Sequence, residues 1–124
     1  MSTLASLYQL QNEIERLYRP LTRTYHLPPM ALLLLSEIYA QPGLGASDYA
    51  AMLGRPPTSF TPIIDSVVNE GYVVRGANLH DRRAIVLTPS LTAHAARENF
   101  CAEMQAVEAG AASLMREWTM EPLP

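Results

Sequence analysis

Apolar residues recur every three or four positions in two long stretches near the ends of the chain, which predicts two amphipathic helices. The first stretch contains Leu4, Leu7, Leu10, Ile14, Leu17 and Leu21. The second, a helix over about 90–118, contains Phe100, Met104, Val107, Ala111, Leu114 and Trp118, whose alternating four- and three-residue steps form an a/d seam. Pro20 should kink or end the first helix, because proline removes a backbone donor and clashes with the preceding turn.

The middle of the chain breaks into shorter elements. A helix is predicted from about Pro29 to Ala40, since proline is well tolerated at the start of a helix. Its consecutive leucines indicate burial on several sides, and residues 44–46 suit a short strand. A further short helix over about Ser47–Leu53 ends at Gly54, which supplies a turn.

The next helix has one apolar face, formed by Phe60, Ile63, Ile64, Val67 and Val68. Pro62 fixes where it begins. In the helix interior Pro62 would cost about 3 kcal/mol, whereas Thr61 as the N-cap avoids that cost. We therefore expect a late start or a kink.

Gly71 occupies the position of a helix C-cap. Val73 and Val74 then begin a strand, Gly76-Ala77-Asn78 begins a polar tip, and Ala84–Leu87 forms a returning strand. The order of elements is that of a helix-turn-helix followed by a β-hairpin wing.

This block resembles the MarR family of winged-helix transcriptional regulators. The matching residues are Leu44, Ser47, Ala50, Leu53, Gly54, Ile63, Ile64, Asp65, Gly71-Tyr72-Val73, Asp81-Arg82-Arg83 and Leu87-Thr88, with His26-Leu27-Pro28-Pro29 upstream. The resemblance covers roughly the middle two thirds of the chain. It implies a mainly α fold: a winged helix-turn-helix with a small β wing, plus N- and C-terminal dimerisation helices. The whole of residues 1–124 would then be one domain, with a DNA-binding lobe at about 27–90 and dimerisation helices at about 1–26 and 91–118.

Charge is unevenly distributed along the sequence. The net charge is −3, and all nine basic residues are arginine. Residues 46–97 carry four acids and five arginines, whereas residues 98–124 carry five acids and one arginine. The block that resembles a DNA-binding lobe is therefore slightly basic, which is compatible with DNA binding.

Residues on the polar side of the helix-turn-helix and on the wing are the candidate DNA contacts. They are Ser47, Arg55, Thr58, Ser59, Thr61, Ser66, Arg75, Arg82 and Arg83. Hydroxyls can contact phosphates or base edges, although they also serve as helix caps. The second helix has no arginine, which argues against strong guanine recognition. Arginine at a wing tip suits a narrow minor groove, with a surface ion pair to Asp81 as the alternative.

The resemblance further implies a homodimer on double-stranded DNA and a crevice for a small effector. Tyr8, Tyr18, Tyr25, His26 and Met30 are candidates for lining such a crevice, and they would suit an aromatic or phenolic ligand. The same side chains would also serve as core.

Other classes of function find little support. Cys101 has acidic neighbours and is expected to be structural, because a reactive thiolate needs a positive environment. His26, His80, His94 and Cys101 lack the tight spacing of metal ligands. We expect no cofactor, no enzyme activity and no membrane span, and the single cysteine and lack of a targeting signal favour the cytoplasm.

The sequence therefore predicts a ligand-responsive dimeric repressor of the MarR type. Two alternatives stay open. One is a winged-helix protein-interaction module that has lost operator binding, which the arginine-free helix favours. The other is a small ligand-carrying helical protein.

The wing gives a first testable prediction. Arg83→Ala should weaken binding to operator DNA by about 1–3 kcal/mol per half-site, because each half of the dimer would lose one charge contact. The melting temperature should not change, since a residue at a hairpin tip buries little surface. Operator affinity and thermal melting are measured on the same preparation. Unchanged affinity at unchanged stability would contradict the assigned role.

Overall fold

A computed structural model describes residues 2–78, 80 and 84–120 of the chain. Within them the helices are α1 (Thr3–Tyr25), α2 (Pro29–Ala40), α3 (Ala46–Met52), α4 (Thr61–Asn69) and α5 (His94–Met120). Two strands, β1 (Val73–Ala77) and β2 (Ile85–Pro89), form an antiparallel pair. Single 3₁₀ turns at Pro57–Ser59 and Leu91–Ala93 precede α4 and α5. The predicted mainly helical winged fold is confirmed.

Helix α1 continues through Pro20, so of the two outcomes predicted for this proline, a kink or an end, the end is wrong. Proline at this position cannot donate to the carbonyl of Arg16, one turn earlier. Both residues are exposed, which leaves that carbonyl open to water. The helix ends instead at His26, which adopts the left-handed conformation with φ of 56° and donates its backbone N–H to the Thr22 carbonyl.

Helices α1 and α5 pack against each other along their lengths in the same chain. The helices approach closely at Gly110, where an added Cβ would lie 3.1 Å from a Leu17 methyl carbon. Phe100 and Met104 of the predicted seam are buried in the core. At the opposite end of the pair the side chains of Leu4, Leu7, Tyr8 and Met115 are exposed. Packing within one chain therefore covers only part of the two apolar stripes.

Helix α2 is the centre of the core, and it runs over the residues predicted for it. It packs against α1, α3, α4, α5 and β2. The expected burial on several sides is confirmed by Ala31, Leu32, Leu34, Leu35, Ile38 and Tyr39, all buried. No helix in the described ranges is long and apolar enough to cross a membrane.

The start of α4 follows from its prolines. A 3₁₀ turn at Pro57–Ser59 comes first, and α4 begins at Thr61 with Pro62 in its first turn. The late start is confirmed, although the N-cap is Phe60, one residue earlier than predicted. Proline costs little there, because the first helical N–H groups have no partner within the helix. The buried Phe60 ring fixes this start against the core.

The exit of α4 is equally well defined. Gly71 adopts a φ of +83°, and its N–H donates to the Val68 carbonyl at 2.9 Å. The N–H of the next residue, Tyr72, donates to the Val67 carbonyl at 3.1 Å. These two bonds make a Schellman cap, in which glycine tolerates the left-handed conformation. The chain then enters β1, whose Val73 pairs with Pro89 of β2.

The short strand expected at residues 44–46 is a single bridge between Gly45 and Val86. Backbone bonds run from Leu87 N–H to the Leu44 carbonyl at 2.9 Å and from Gly43 N–H to the Leu87 carbonyl at 2.8 Å. Pairing stops there because helix α3 begins at Ala46. Val86 and Leu87 of β2 thus pair with the segment that leads into α3.

Tyr25, at the end of α1, connects three parts of the molecule. Its hydroxyl donates to Glu103 Oε1 of α5 at 2.9 Å, and its carbonyl accepts from the hydroxyl of Tyr72 at 3.0 Å. Its ring meets the Phe100 ring edge-on, with centroids 5.1 Å apart. Burial, with the Glu103 carboxylate as second cause, holds the pKa of the Tyr25 phenol well above its usual range. The α1–α5 pair is therefore joined directly to the residue that follows the α4 cap.

Pro20 supplies a test of the helix boundaries. Pro20→Ala should raise the free energy of unfolding by roughly 1–3 kcal/mol, because it restores a donor and removes a clash inside a continuous helix. Pro29→Ala is the matched control. Pro29 is the first residue of α2, where proline is well accommodated, so no such gain is expected. Urea unfolding of both variants measures the difference. A loss of stability in Pro20→Ala would show that the helix depends on this proline.

Candidate functional site

The outward side of α4 and the 3₁₀ turn before it carry the hydroxyl side chains expected to contact DNA. Thr58, Ser59 and Thr61 are exposed, and Ser66 is half-buried one turn further along the helix. The opposite side of α4 is anchored in the core by Ile64 and Val67. The apolar periodicity of this helix thus determines which of its polar residues lie at the surface.

These four hydroxyls differ in their partners. Ser59 Oγ donates to the Pro56 carbonyl at 3.0 Å, and Ser66 Oγ donates to the Pro62 carbonyl at 2.9 Å. Such local bonds occupy the hydroxyl proton. The described part of the chain offers no hydrogen-bond partner to the hydroxyls of Thr58 and Thr61. Thr58 and Thr61 are therefore the hydroxyl donors most available to an external partner.

Arg75 of β1 forms an ion pair with Asp65 of α4. Both side chains are partly exposed, so the pair adds under about 1 kcal/mol to stability. The pair matters more for the geometry of the site, because it joins the first strand of the wing to the middle of α4. Arg75 was expected to contact DNA, and the structure places its guanidinium on a carboxylate of the same chain.

The remaining candidates lie at the edges of this surface. Ser47 is exposed in the first turn of α3, and Arg55 is exposed in the turn that follows α3. The Gly45 N–H at the start of α3 donates to Asp48 Oδ2 at 3.2 Å. Arg82 and Arg83, together with Asp81, lie outside the described residues.

A cavity of about 330 Å³ lies between α1, α2 and α5. Of the residues expected to line an effector crevice, Tyr18 and Met30 line this cavity. Tyr25 is buried in the aromatic junction, His26 is exposed at the end of α1, and Tyr8 is exposed near its beginning. The other walls are Ile14, Pro29, Leu32, Leu33, Met104, Val107, Glu108 and Ala111. Sequence reasoning missed Glu108, although the seam places it beside Val107.

A second cavity, of about 350 Å³, lies on the other side of Met104 and Glu108. Arg97 and Cys101 line it, together with Tyr39. The Arg97 guanidinium lies 4.9 Å from the centre of the Tyr39 ring and donates to the Tyr39 carbonyl at 3.3 Å. Burial raises the pKa of the Tyr39 phenol to about 12. Cys101 is half-buried, one helical turn from Arg97.

Comparison with known proteins gives matches only at the level of structure. No family model matches the sequence, and no curated protein sequence matches it. A probable transcriptional regulator from Pseudomonas aeruginosa superposes with a TM-score of 0.72 at 15% identity, over 86% of this chain and 80% of that chain. The reduced form of MarR from E. coli gives a TM-score of 0.70 at 16% identity, over 96% and 83% of the two chains.

A mutant of MarR from E. coli complexed with operator DNA is also similar, with a TM-score of 0.67 at 17% identity. That likeness covers 91% of this chain and 76% of that chain. At such low identity the agreement concerns the path of the backbone over nearly the whole chain. The chain therefore has the winged-helix fold of the MarR-type transcriptional regulators.

Proposed function

We propose that the protein is a dimeric DNA-binding transcriptional regulator of the MarR type, and that it acts as a repressor whose DNA binding responds to a small ligand. One observation carries this proposal. Helix α4 follows the α3 turn and precedes a two-stranded wing, and its uncovered side presents hydroxyl residues on a scaffold similar to that of a protein solved with operator DNA. In this arrangement α4 would enter the major groove, as the second helix of a helix-turn-helix does.

The charges of the site define how α4 would bind. Residues 61–69 contain one carboxylate and no basic residue, and that carboxylate holds Arg75. Phosphate contacts would therefore come from Arg55 and the wing, while Thr58 and Thr61 meet base edges or phosphates with their hydroxyls and methyl groups. The Asp65–Arg75 pair would keep wing and helix in a fixed relation while both contact the duplex.

The exposed apolar end of the α1–α5 pair supports the dimer. Leu4 is 64% exposed and Tyr8 is 62% exposed, and Leu7 and Met115 are exposed beside them. Leu10 of α1 and Leu114 and Trp118 of α5 line one shallow cleft, which shows that these two helix ends adjoin. A second copy placed against this end would cover the apolar surface. Its twofold symmetry would set two α4 helices against successive half-sites.

The cavity between α1, α2 and α5 supports a response to ligand. It lies between the helices proposed to dimerise and the core helix that packs on α4. A ligand there could bias the spacing of the two α4 helices only if it bound one arrangement more tightly than the other. Tyr18 and Met30 would then contact the ligand.

A protein-interaction module without operator binding is the second candidate. It is favoured by the absence of any cation on α4 and by the pairing of Arg75 within the chain. Binding to DNA separates the two candidates directly.

The test of DNA binding uses fluorescence anisotropy with the DNA upstream of the protein's own gene. Specific binding is expected, and Thr61→Val should weaken it by about 0.5–1.5 kcal/mol per half-site because one uncommitted hydroxyl is lost. Ser66→Ala is the matched control, since its hydroxyl already donates to the Pro62 carbonyl. Equal effects of the two substitutions would refute the assignment of Thr61. No preference for upstream DNA over random duplex would favour the interaction module.

The dimer is tested by sedimentation at micromolar concentration. Leu7→Arg should shift the protein from dimer to monomer, because it places a charge on the apolar end of the α1–α5 pair. Leu91→Arg serves as the control, since Leu91 is 95% exposed before the start of α5, at the other end of that helix, and should not alter assembly. A monomeric parent protein would leave two-fold DNA recognition without a basis.

A further inference from the structure

The cavity between α1, α2 and α5 combines apolar walls with a single acidic side chain. Its walls are almost wholly apolar, with Ile14, Leu33 and Val107 on three different helices. Glu108 is the one ionisable carboxyl group among the lining residues, and the Tyr18 phenol is the other polar side-chain group. No arginine or histidine lines it.

The one arginine that lines the adjoining cavity is engaged elsewhere. Arg97 lines the adjoining cavity, to which Glu108 also contributes, but its guanidinium lies over the Tyr39 ring and donates to the Tyr39 carbonyl. Among the described residues the ion pairs are Arg19–Glu15, Arg75–Asp65 and His94–Glu98, so Glu108 forms none there. Glu108 is exposed, so it presents its carboxylate both to solvent and to the apolar walls of the cavity, without a compensating cation.

We infer that this cavity selects an organic cation with an apolar, preferably aromatic, body. The inference deepens the ligand response proposed above and rests on it. An exposed carboxylate that lines a cleft with low-dielectric walls attracts a cation and repels an anion more strongly than one on an open surface, because the walls focus its field into the cleft. The Tyr18 ring adds a face on which an ammonium group can lie. A volume of about 330 Å³ is at the lower end of the range for small-molecule sites, which suits a bicyclic aromatic amine.

The charge of Glu108 also restricts the class of ligand that the sequence predicts, which is an aromatic or phenolic molecule. An aromatic ligand agrees with Tyr18, Met30 and the apolar walls. An aromatic acid or a phenolate does not, because its negative charge would lie against the Glu108 carboxylate with no arginine in the cavity to hold it. The class of ligand is therefore set by one residue of α5.

Two probes of matched shape and opposite charge test the inference. Naphthylmethylammonium and naphthylacetate are titrated into the DNA-free protein by calorimetry at constant ionic strength. The cation should bind with a dissociation constant roughly tenfold lower than that of the anion, a ratio that corresponds to about 1.4 kcal/mol. Glu108→Gln should remove most of this preference by weakening the cation and strengthening the anion.

Glu98→Gln is the matched control. Glu98 is an exposed glutamate of the same helix, 3.6 Å from His94 Nε2, and it does not line the cavity. This variant should keep the preference for the cation. Thermal melting of both variants shows that the fold is intact.

Three results would overturn the inference: binding of neither probe, tighter binding of naphthylacetate, or a cation preference that survives Glu108→Gln. Each is read on protein without DNA. Operator binding is measured in the absence of ligand, so these three results do not decide whether the protein binds DNA.

Discussion

The contacts of the buried Tyr25 determine how the two halves of this molecule, the α1–α5 pair and the α4 region, are arranged. One side chain ends α1, bonds to α5 through Glu103 and packs on Phe100, while its carbonyl holds the hydroxyl of Tyr72. Tyr72 is the residue directly after the Gly71 cap, so the exit of α4 cannot shift without disturbing the end of α1. The α1–α5 pair is therefore connected to the exit of α4 by a hydrogen bond and an aromatic contact between Tyr25 and Tyr72. A ligand bound in the cavity among α1, α2 and α5 would therefore act on α4 through this junction.

Much of the fold could be predicted from the sequence because its boundaries are fixed locally. Pro29 and Pro62 restrict the backbone at a helix start, and Gly71 permits the left-handed conformation at a helix end. Each boundary lies within about one residue of its expected place, well inside the usual ambiguity of helix boundaries. Pro20 was misjudged because its cost depends on whether the unpaired carbonyl reaches water, which only the packing of α1 decides. The single bridge at Gly45 was misjudged for a related reason. The length of a paired segment depends on where α3 begins. The helix begins at Ala46, within one residue of the predicted start, and the Asp48 carboxylate accepts from the Gly45 N–H there.

Less of the candidate site could be predicted from the sequence, because its chemistry depends on hydrogen bonds and ion pairs between residues that are separated along the chain. The apolar face of α4 correctly placed Thr58, Ser59 and Thr61 at the surface. It did not reveal that Ser59 and Ser66 donate to local carbonyls, or that Arg75 binds Asp65 ten positions away. In the cavity, Tyr18 and Met30 are two of the five residues that the family resemblance suggested as the lining of an effector crevice. Glu108 was not among them, since its proximity to Tyr18 arises only when α1 and α5 pack in opposite directions.

The lack of any cation along α4 has a consequence for how such a regulator would locate its target. Time spent on random DNA is governed by phosphate contacts, which are indifferent to sequence and let a protein slide along the duplex. A regulator whose phosphate contacts come only from Arg55 and the wing, and not from α4, would slide over shorter distances and dissociate more often than one with a basic α4. It would examine the genome mainly by three-dimensional diffusion. Few molecules would then be sequestered on non-target DNA, so a small number of copies per cell would keep a single target site occupied.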